Sequence, residues 1–198
     1  MQGVTKTRSG QIYLLLLALL GIAPFIFEWA DQPFLLDLLS RGLIIGIAAL
    51  SLNLILGYGG MVSLGHAAYL GIGAYCVGIP AYYDIYSGWI HIALAVVVCG
   101  VFALLTGAIS LRTKGVYFIM ITMAFSQMVY FIFVSLEEYG ADDGLVIYAR
   151  SEFPEWMGME SAVSLYYWIF VLLIGTLYLI HRLVLSRFGK AVIGSKHN

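Results

Sequence analysis

Charge is scarce in this sequence. Only 11% of its 198 residues are Asp, Glu, Lys or Arg, 62% are hydrophobic, and the mean hydropathy is +0.94. A soluble domain of this length needs a more polar surface, so lipid is the expected solvent. Ten basic residues nearly balance eleven acidic ones, leaving a net charge of −1. There is no basic block and no DNA- or RNA-binding motif, so no nucleic-acid partner is expected. Cysteine is almost missing as well. Cys76 and Cys99 sit in separate apolar runs with no metal-ligand spacing, where a thiol serves as a small apolar filler. The four histidines, His66, His91, His181 and His197, are too scattered to suggest a metal centre. No cofactor or metal is expected. No G-x-x-x-x-G-K-[ST] phosphate loop occurs, so this chain is not expected to hydrolyse ATP.

Long apolar runs dominate what remains. Six can be marked, at about 11–30, 39–57, 61–80, 89–111, 115–136 and 163–183. Each approaches the ~20 residues that cross a ~30 Å hydrocarbon core. The first follows Lys6 and Arg8 and could pass for a signal peptide. Its run from Ile12 to Phe27 is long, and Pro24-Phe25-Ile26-Phe27 is a poor cleavage site, so it reads as a first membrane helix. Ionisable groups are nearly absent inside the runs, as expected where a central charge costs ~2.5–3.5 kcal/mol. Arg41, near the start of the second run, is expected to snorkel towards headgroups.

The connections give an independent test of topology. Lys6 and Arg8, Arg112 and Lys114, and then Arg182, Arg187, Lys190 and Lys196 all fall on one side of a six-span chain. The positive-inside rule makes that side the cytoplasm. All eleven acids, from Glu28 to Glu160, fall on the other side. The expected fold is an all-α polytopic membrane helix bundle of about six transmembrane helices, with both termini inside. Residues 137–162 become an external acidic loop, irregular or with a short surface helix near Glu155–Met159. Its Asp142-Asp143-Gly144 lacks the ligand spacing of a calcium loop. Residues 184–198 start a cytoplasmic loop, and 1–198 reads as one membrane domain.

Chemistry-bearing groups are few. Ser63 and His66 lack the G-x-S-x-G turn that exposes a serine nucleophile, and a catalytic base usually comes from another element. No catalytic residue is expected, and the chain is read as a non-enzyme. The stretch GYGGMVSLGHAAYLGIGAY, residues 57–75, is more informative. Small-xxx-small pairs such as Gly42/Gly46, Ala67/Gly71 and Ala74/Gly78 suit tight helix crossings. Gly57-Tyr58-Gly59-Gly60 differs, because adjacent glycines loosen a helix rather than smooth one face. Irregular backbone at membrane depth survives only when buried in protein or lining a watery cavity. Asn53, Gly57, Tyr58, Gly59, Gly60, Ser63 and His66 are therefore candidate substrate-pathway residues. Thr122 and Gln127, polar groups in the fifth run, join them. Interhelical packing remains the rival reading for each.

Longer motifs carry a resemblance. LSLNLILGYGGMVSLGHAAYLGIGAY (50–75) and LRTKGVYFIMITMAFSQMVY (111–130) resemble the permease subunits of branched-chain amino-acid ABC importers, the LivM type. YGADDGL (139–145) is similar to their external Gly/Asp-Gly motif. SRFGKAVIGSKHN (186–198) resembles the start of their cytoplasmic coupling loop. The resemblance implies half of a heterodimeric pathway in a bacterial inner membrane. Its partners would be a second, LivH-like permease subunit, cytoplasmic ATPase subunits and an external substrate-binding protein, with lipid around the spans. It also implies ATPase coupling at Phe188, Gly189 and Lys190, although Ala191–Gly194 lacks the arginines often found there. Family members continue well beyond this loop, so the resemblance implies a C-terminally truncated permease or a natural half-length form. Subunits for urea or short amides share these motifs. A fragment of a secondary transporter or channel is the alternative of another class.

Overall fold

The computed structural model describes residues 8–113, 115–147, 149–154, 161–187, 189, 190 and 194. Among these residues six α-helices follow one another: α1 (Arg8–Trp29), α2 (Pro33–Asn53), α3 (His66–Tyr82), α4 (Gly88–Ser110), α5 (Val116–Val134) and α6 (Ala162–Leu185). No named strand occurs among the described residues, only an isolated bridge between Ser87 and Glu152. The protein is all-α, as the hydrophobic runs predict. Among the described residues, four helical stretches are long and apolar enough to cross a membrane: Pro33–Tyr58, Gly88–Ser110, Val116–Val134 and Ala162–Leu185.

Helix α3 is shorter than its apolar run, and the glycines explain the difference. A π-helical turn, Leu54–Tyr58, closes α2, and regular helix resumes only at His66. The 17 residues of α3 rise only ~25 Å. A Cβ on Gly59 would lie 2.6 Å from the Ile55 carbonyl oxygen, and Gly60 has φ of +66°. Neither position suits a residue with a side chain. The broken backbone is bonded internally: Gly59 N–H donates to Leu54 O (3.3 Å) and Met61 N–H to Ile55 O (3.2 Å). Such internal pairing is what allows irregular chain at membrane depth.

The chain divides into two compact units, Met1–Ser51 with Glu155–Ser186, and Leu52–Pro154 with Arg187–Asn198. In the first, Leu36 and Leu43 of α2 pack with Tyr166, Ile169 and Leu173 of α6. Tyr166 is wholly buried and its hydroxyl donates to the Leu20 carbonyl at 2.6 Å. The sequence supplies the reason. Pro24 lies inside α1 and has no N–H, so the carbonyl four residues earlier loses its helical donor. That carbonyl is Leu20. Tyr167 donates to the adjacent Gly21 carbonyl at 3.1 Å. Arg41, read as a snorkelling cation, pairs with Asp37 at 3.0 Å one helical turn away. This exposed pair contributes little to stability.

In the second unit α3, α4 and α5 pack together. Ala68, Ile72 and Cys76 of α3 meet Val129 of α5, with Ala95, Cys99 and Phe102 of α4 around them. Tyr75 stacks on Phe133 with centroids 3.8 Å apart. Gly71, read as packing surface, faces open space within this unit, as does Gly73. Gly78 is covered by Leu145 of the loop after α5 rather than by a helix. That loop is strapped to the α3–α4 turn. Gly88 N–H donates to Glu152 O (2.8 Å), and Glu152 N–H to Tyr86 O (2.6 Å). His91, 2% exposed, has Nε2 2.9 Å from Ile85 O, so Nε2 must donate. Its Nδ1 lies 2.8 Å from Ser151 Oγ. Part of the loop is wound into short 3-10 turns, Glu137–Tyr139 and Ala141–Asp143. The suggested helix near Glu155–Met159 lies outside the described residues.

Candidate functional site

A cavity of about 240 Å³ opens inside the second unit, where α3 begins, α4 ends and α5 begins. It exceeds the ~150 Å³ that suffices to bind benzene. Its polar lining comes from Ser63, His66, Tyr69, Thr106, Ser110 and Thr122. Phe102, Phe118, Phe125, Ile55, Met61 and Leu111 make most of the apolar wall. No Asp, Glu, Lys or Arg lines it.

Local sequence builds this chamber. Phe102, Thr106 and Ser110 are four residues apart and therefore share one face of α4. Phe118, Thr122 and Phe125, four and then three residues apart, share one face of α5. The break before α3 brings the Gly65 backbone against α5. A Cβ there would lie 2.6 Å from the Thr122 carbonyl oxygen, so only glycine permits this approach. Leu64 N–H then donates to Thr122 Oγ1 at 3.3 Å, and Thr122 donates its own proton to Ile119 O at 3.0 Å.

The hydroxyls of Thr106 and Tyr69 can be accounted for in the same way. Thr106 Oγ1 gives its only proton to Phe102 O (2.8 Å). Tyr69 must then be the donor in its 3.2 Å bond to Thr106 Oγ1. Cys99 Sγ contacts the Tyr69 carbonyl at 3.8 Å, which further fixes that turn of α3. Tyr69 also meets Phe102 edge-on at 5.4 Å, and Phe102 meets Phe125 at 6.5 Å. His66 lies 5.8 Å from the Tyr69 ring. Ser110 is different. It is 3% exposed, and its Oγ has no hydrogen-bond partner among the described residues. The chamber offers uncharged hydrogen-bonding groups on an aromatic wall, suited to a small molecule with polar and aliphatic parts.

The structure brings together three of the pathway residues read from sequence: Ser63, His66 and Thr122. Asn53, Gly57, Tyr58, Gly59 and Gly60 do not line the cavity; they lie at the π turn that closes α2 and in the break that follows it. Asn53 Oδ1 lies 2.5 Å from where a Gly57 Cβ would stand, so its amide covers that glycine. Gln127 is exposed and makes no hydrogen bond among the described residues. Gly189 is buried, Lys190 exposed, and Phe188 lies outside the described residues. Sequence reasoning missed Tyr69, Phe102, Thr106 and Ser110. The signal was present: Thr106 and Ser110 are polar groups one turn apart near the end of an otherwise apolar run.

The chain has the build of an all-α, multi-pass membrane protein with an uncharged chamber among α3, α4 and α5. The chain belongs to the family described as the branched-chain amino acid transport system permease component, whose profile matches residues 34–198. Among its relatives is the high-affinity branched-chain amino acid transport system permease protein LivM of Salmonella typhimurium. The two are 26% identical, over 94% of this chain and 48% of that protein. LivM of Escherichia coli is 25% identical, over 71% of this chain and 32% of its own length. The chain thus spans at most about half the length of these curated relatives. No solved structure matches it.

Proposed function

We propose that this chain is a permease subunit of an ATP-driven importer and contributes to the translocation path for branched-chain amino acids. The observation that carries this reading is the chamber at the α3–α4–α5 junction. It is large enough for a small amino acid, free of charge and walled by aromatic side chains. An aliphatic side chain loses its water shell against Phe102, Phe118 and Phe125, while hydroxyls and His66 meet the polar end. Ion-coupled carriers tend to place carboxylates within the membrane, and this chamber has none.

In this reading both termini are cytoplasmic, in a bacterial inner membrane, and the acidic 137–162 loop is external. The chamber then lies in the cytoplasmic half, beside the Arg112 link. Energy comes from separate ATPase subunits that dock near Phe188–Lys190. Substrate comes from an external binding protein. Gln127, an exposed amide on an apolar helix, is satisfied by a second permease subunit, LivH-like, as buried amides require a partner. Asn53 and the Gly57–Gly60 break shape the route into the chamber.

Uptake of labelled leucine into cells expressing the assembled transporter tests the reading. Ala103→Trp, which fills the chamber from α4, is expected to abolish uptake while the protein still reaches the membrane. Undiminished uptake with the chamber filled contradicts it.

A further inference from the structure

We infer that Ser110 is the anchor for the carboxylate of a small aliphatic amino acid in the chamber, at the amino-terminal end of α3; this rests on the translocation reading above. Ser110 is 3% exposed, lines the chamber, and its Oγ has no partner among the described residues. Helical serines usually satisfy the hydroxyl on a carbonyl three or four residues back. Thr106, one turn earlier, does so, and so do Thr113 and Thr122. Ser110 alone among these keeps a proton to give to something that enters. Three other hydroxyls on the wall are committed: Thr106 to Phe102 O, Thr122 to Ile119 O, and Tyr69 to Thr106.

The sign of the ligand group follows from the helix ends. Two helices begin at the chamber, α3 after Gly65 and α5 after Gly115, and no side chain caps either. One helix, α4, ends there, and three of its last four carbonyls, those of Gly107, Ile109 and Ser110, are answered. Leu111 N–H donates to Gly107 O, Arg112 N–H to Ile109 O, and Thr113 bonds Ser110 O through both its N–H and its hydroxyl. The uncompensated partial charge is therefore positive, which favours an anionic group. With no Arg or Lys on the wall, a carboxylate gains a charge-assisted hydrogen bond without a competing ion pair. The aliphatic portion lies against the phenylalanines. The ammonium is left for the aromatic faces and the free lone pair of Tyr69.

The test uses the full chain in nanodiscs, with labelled leucine and with 3-methylbutylamine, which keeps the side chain and ammonium but lacks the carboxylate. Ser110→Ala is expected to weaken leucine binding about tenfold or more, the scale of a lost charge-assisted bond. Binding of 3-methylbutylamine is expected to stay within twofold. Without ligand, Ser110→Ala is expected to melt no lower than wild type, since it removes an unpaired buried hydroxyl and adds a better helix former. Ser110→Thr, which retains the hydroxyl, is expected to recover part of the leucine affinity. Leucine affinity unchanged in Ser110→Ala overturns the anchor and leaves the translocation reading standing. An equal loss for leucine and the amine assigns Ser110 a packing role and also overturns it. A wild-type chain that binds neither compound sinks both.

Discussion

Tyr166 and Pro24 provide a sharp test of the packing account, because one residue repairs a defect the other creates. Tyr166→Phe keeps the ring, its stacking on Phe170 at 6.3 Å and its burial, and removes only the hydroxyl. The Leu20 carbonyl, without its 2.6 Å donor, then stands unpaired beside Pro24. An orphaned buried carbonyl costs about 1–3 kcal/mol in mutational series, whereas polar contacts inside membrane proteins average about 0.6 and reach about 1.7. Here the carbonyl has lost its helical donor to proline and has no replacement. The upper part of the membrane range applies, about 1.5 kcal/mol, roughly tenfold in the folding equilibrium. Pro24→Ala restores a backbone N–H four residues after Leu20. In that background Tyr166→Phe is expected to cost under about 0.5 kcal/mol, a coupling of about 1 kcal/mol. The assay is reversible unfolding of the four variants in mixed micelles of mild detergent and dodecyl sulfate. If Tyr166→Phe costs the same with and without Pro24, the hydroxyl is not repairing the proline gap and the reasoning fails.

Gly65→Ala places a Cβ 2.6 Å from a backbone oxygen of α5 and is expected to cost about 1–3 kcal/mol, whereas Gly71→Ala meets open space and is expected to be neutral or stabilising; thermal unfolding in detergent separates the two. His91→Ala removes the imidazole that joins Ser151 of the 149–154 segment to Ile85 of the α3–α4 turn, leaving the two backbone bonds of Glu152, and faster proteolysis in that segment is expected with no change in helicity. Tyr83, beyond the end of α3, has its phenol pushed up to about 12, first by its hydrogen bond with Tyr139 and then by desolvation and Glu138. The folded chain holds that proton more tightly than the unfolded one, so any stability it adds is present below about pH 10 and is lost as pH rises through about 12; Tyr83→Phe is expected to remove the latest phenolate transition from the ultraviolet titration. Reporter fusions after Asp84 and after Arg112 are expected to report opposite faces of the membrane, and a shared face contradicts the orientation.

Helix positions were legible because lipid imposes a simple code of long apolar runs between charged links. The break at Gly57–Gly60 was legible for a related reason, since adjacent glycines have no use in a straight span. Where it led was not. A π turn and the late start of α3 depend on Gly59 meeting the Ile55 carbonyl and Gly65 meeting Thr122, contacts that no linear pattern encodes. The candidate site was half visible. Ser63, His66 and Thr122 announced themselves as polar residues in apolar sequence, and Thr106 and Ser110 carried the same mark on α4. Gln127 carried it too and faces outward, because helical phase alone does not say which side meets a cavity. The fate of the Leu20 carbonyl was written in Pro24, but its donor, 146 residues away, was not.

The central claim is that the α3–α4–α5 chamber receives the transported amino acid. Its most direct test is substrate protection of a single cysteine, after Cys76 and Cys99 are replaced by alanine. Ser63→Cys stands on the chamber wall, and Leu104→Cys, 75% exposed and outside the lining, is the control. Leucine is expected to slow labelling of the first by a small thiol reagent several-fold and to leave the second unchanged. Equal labelling rates at Ser63→Cys with and without saturating leucine, in a chain that demonstrably binds it, contradict the claim.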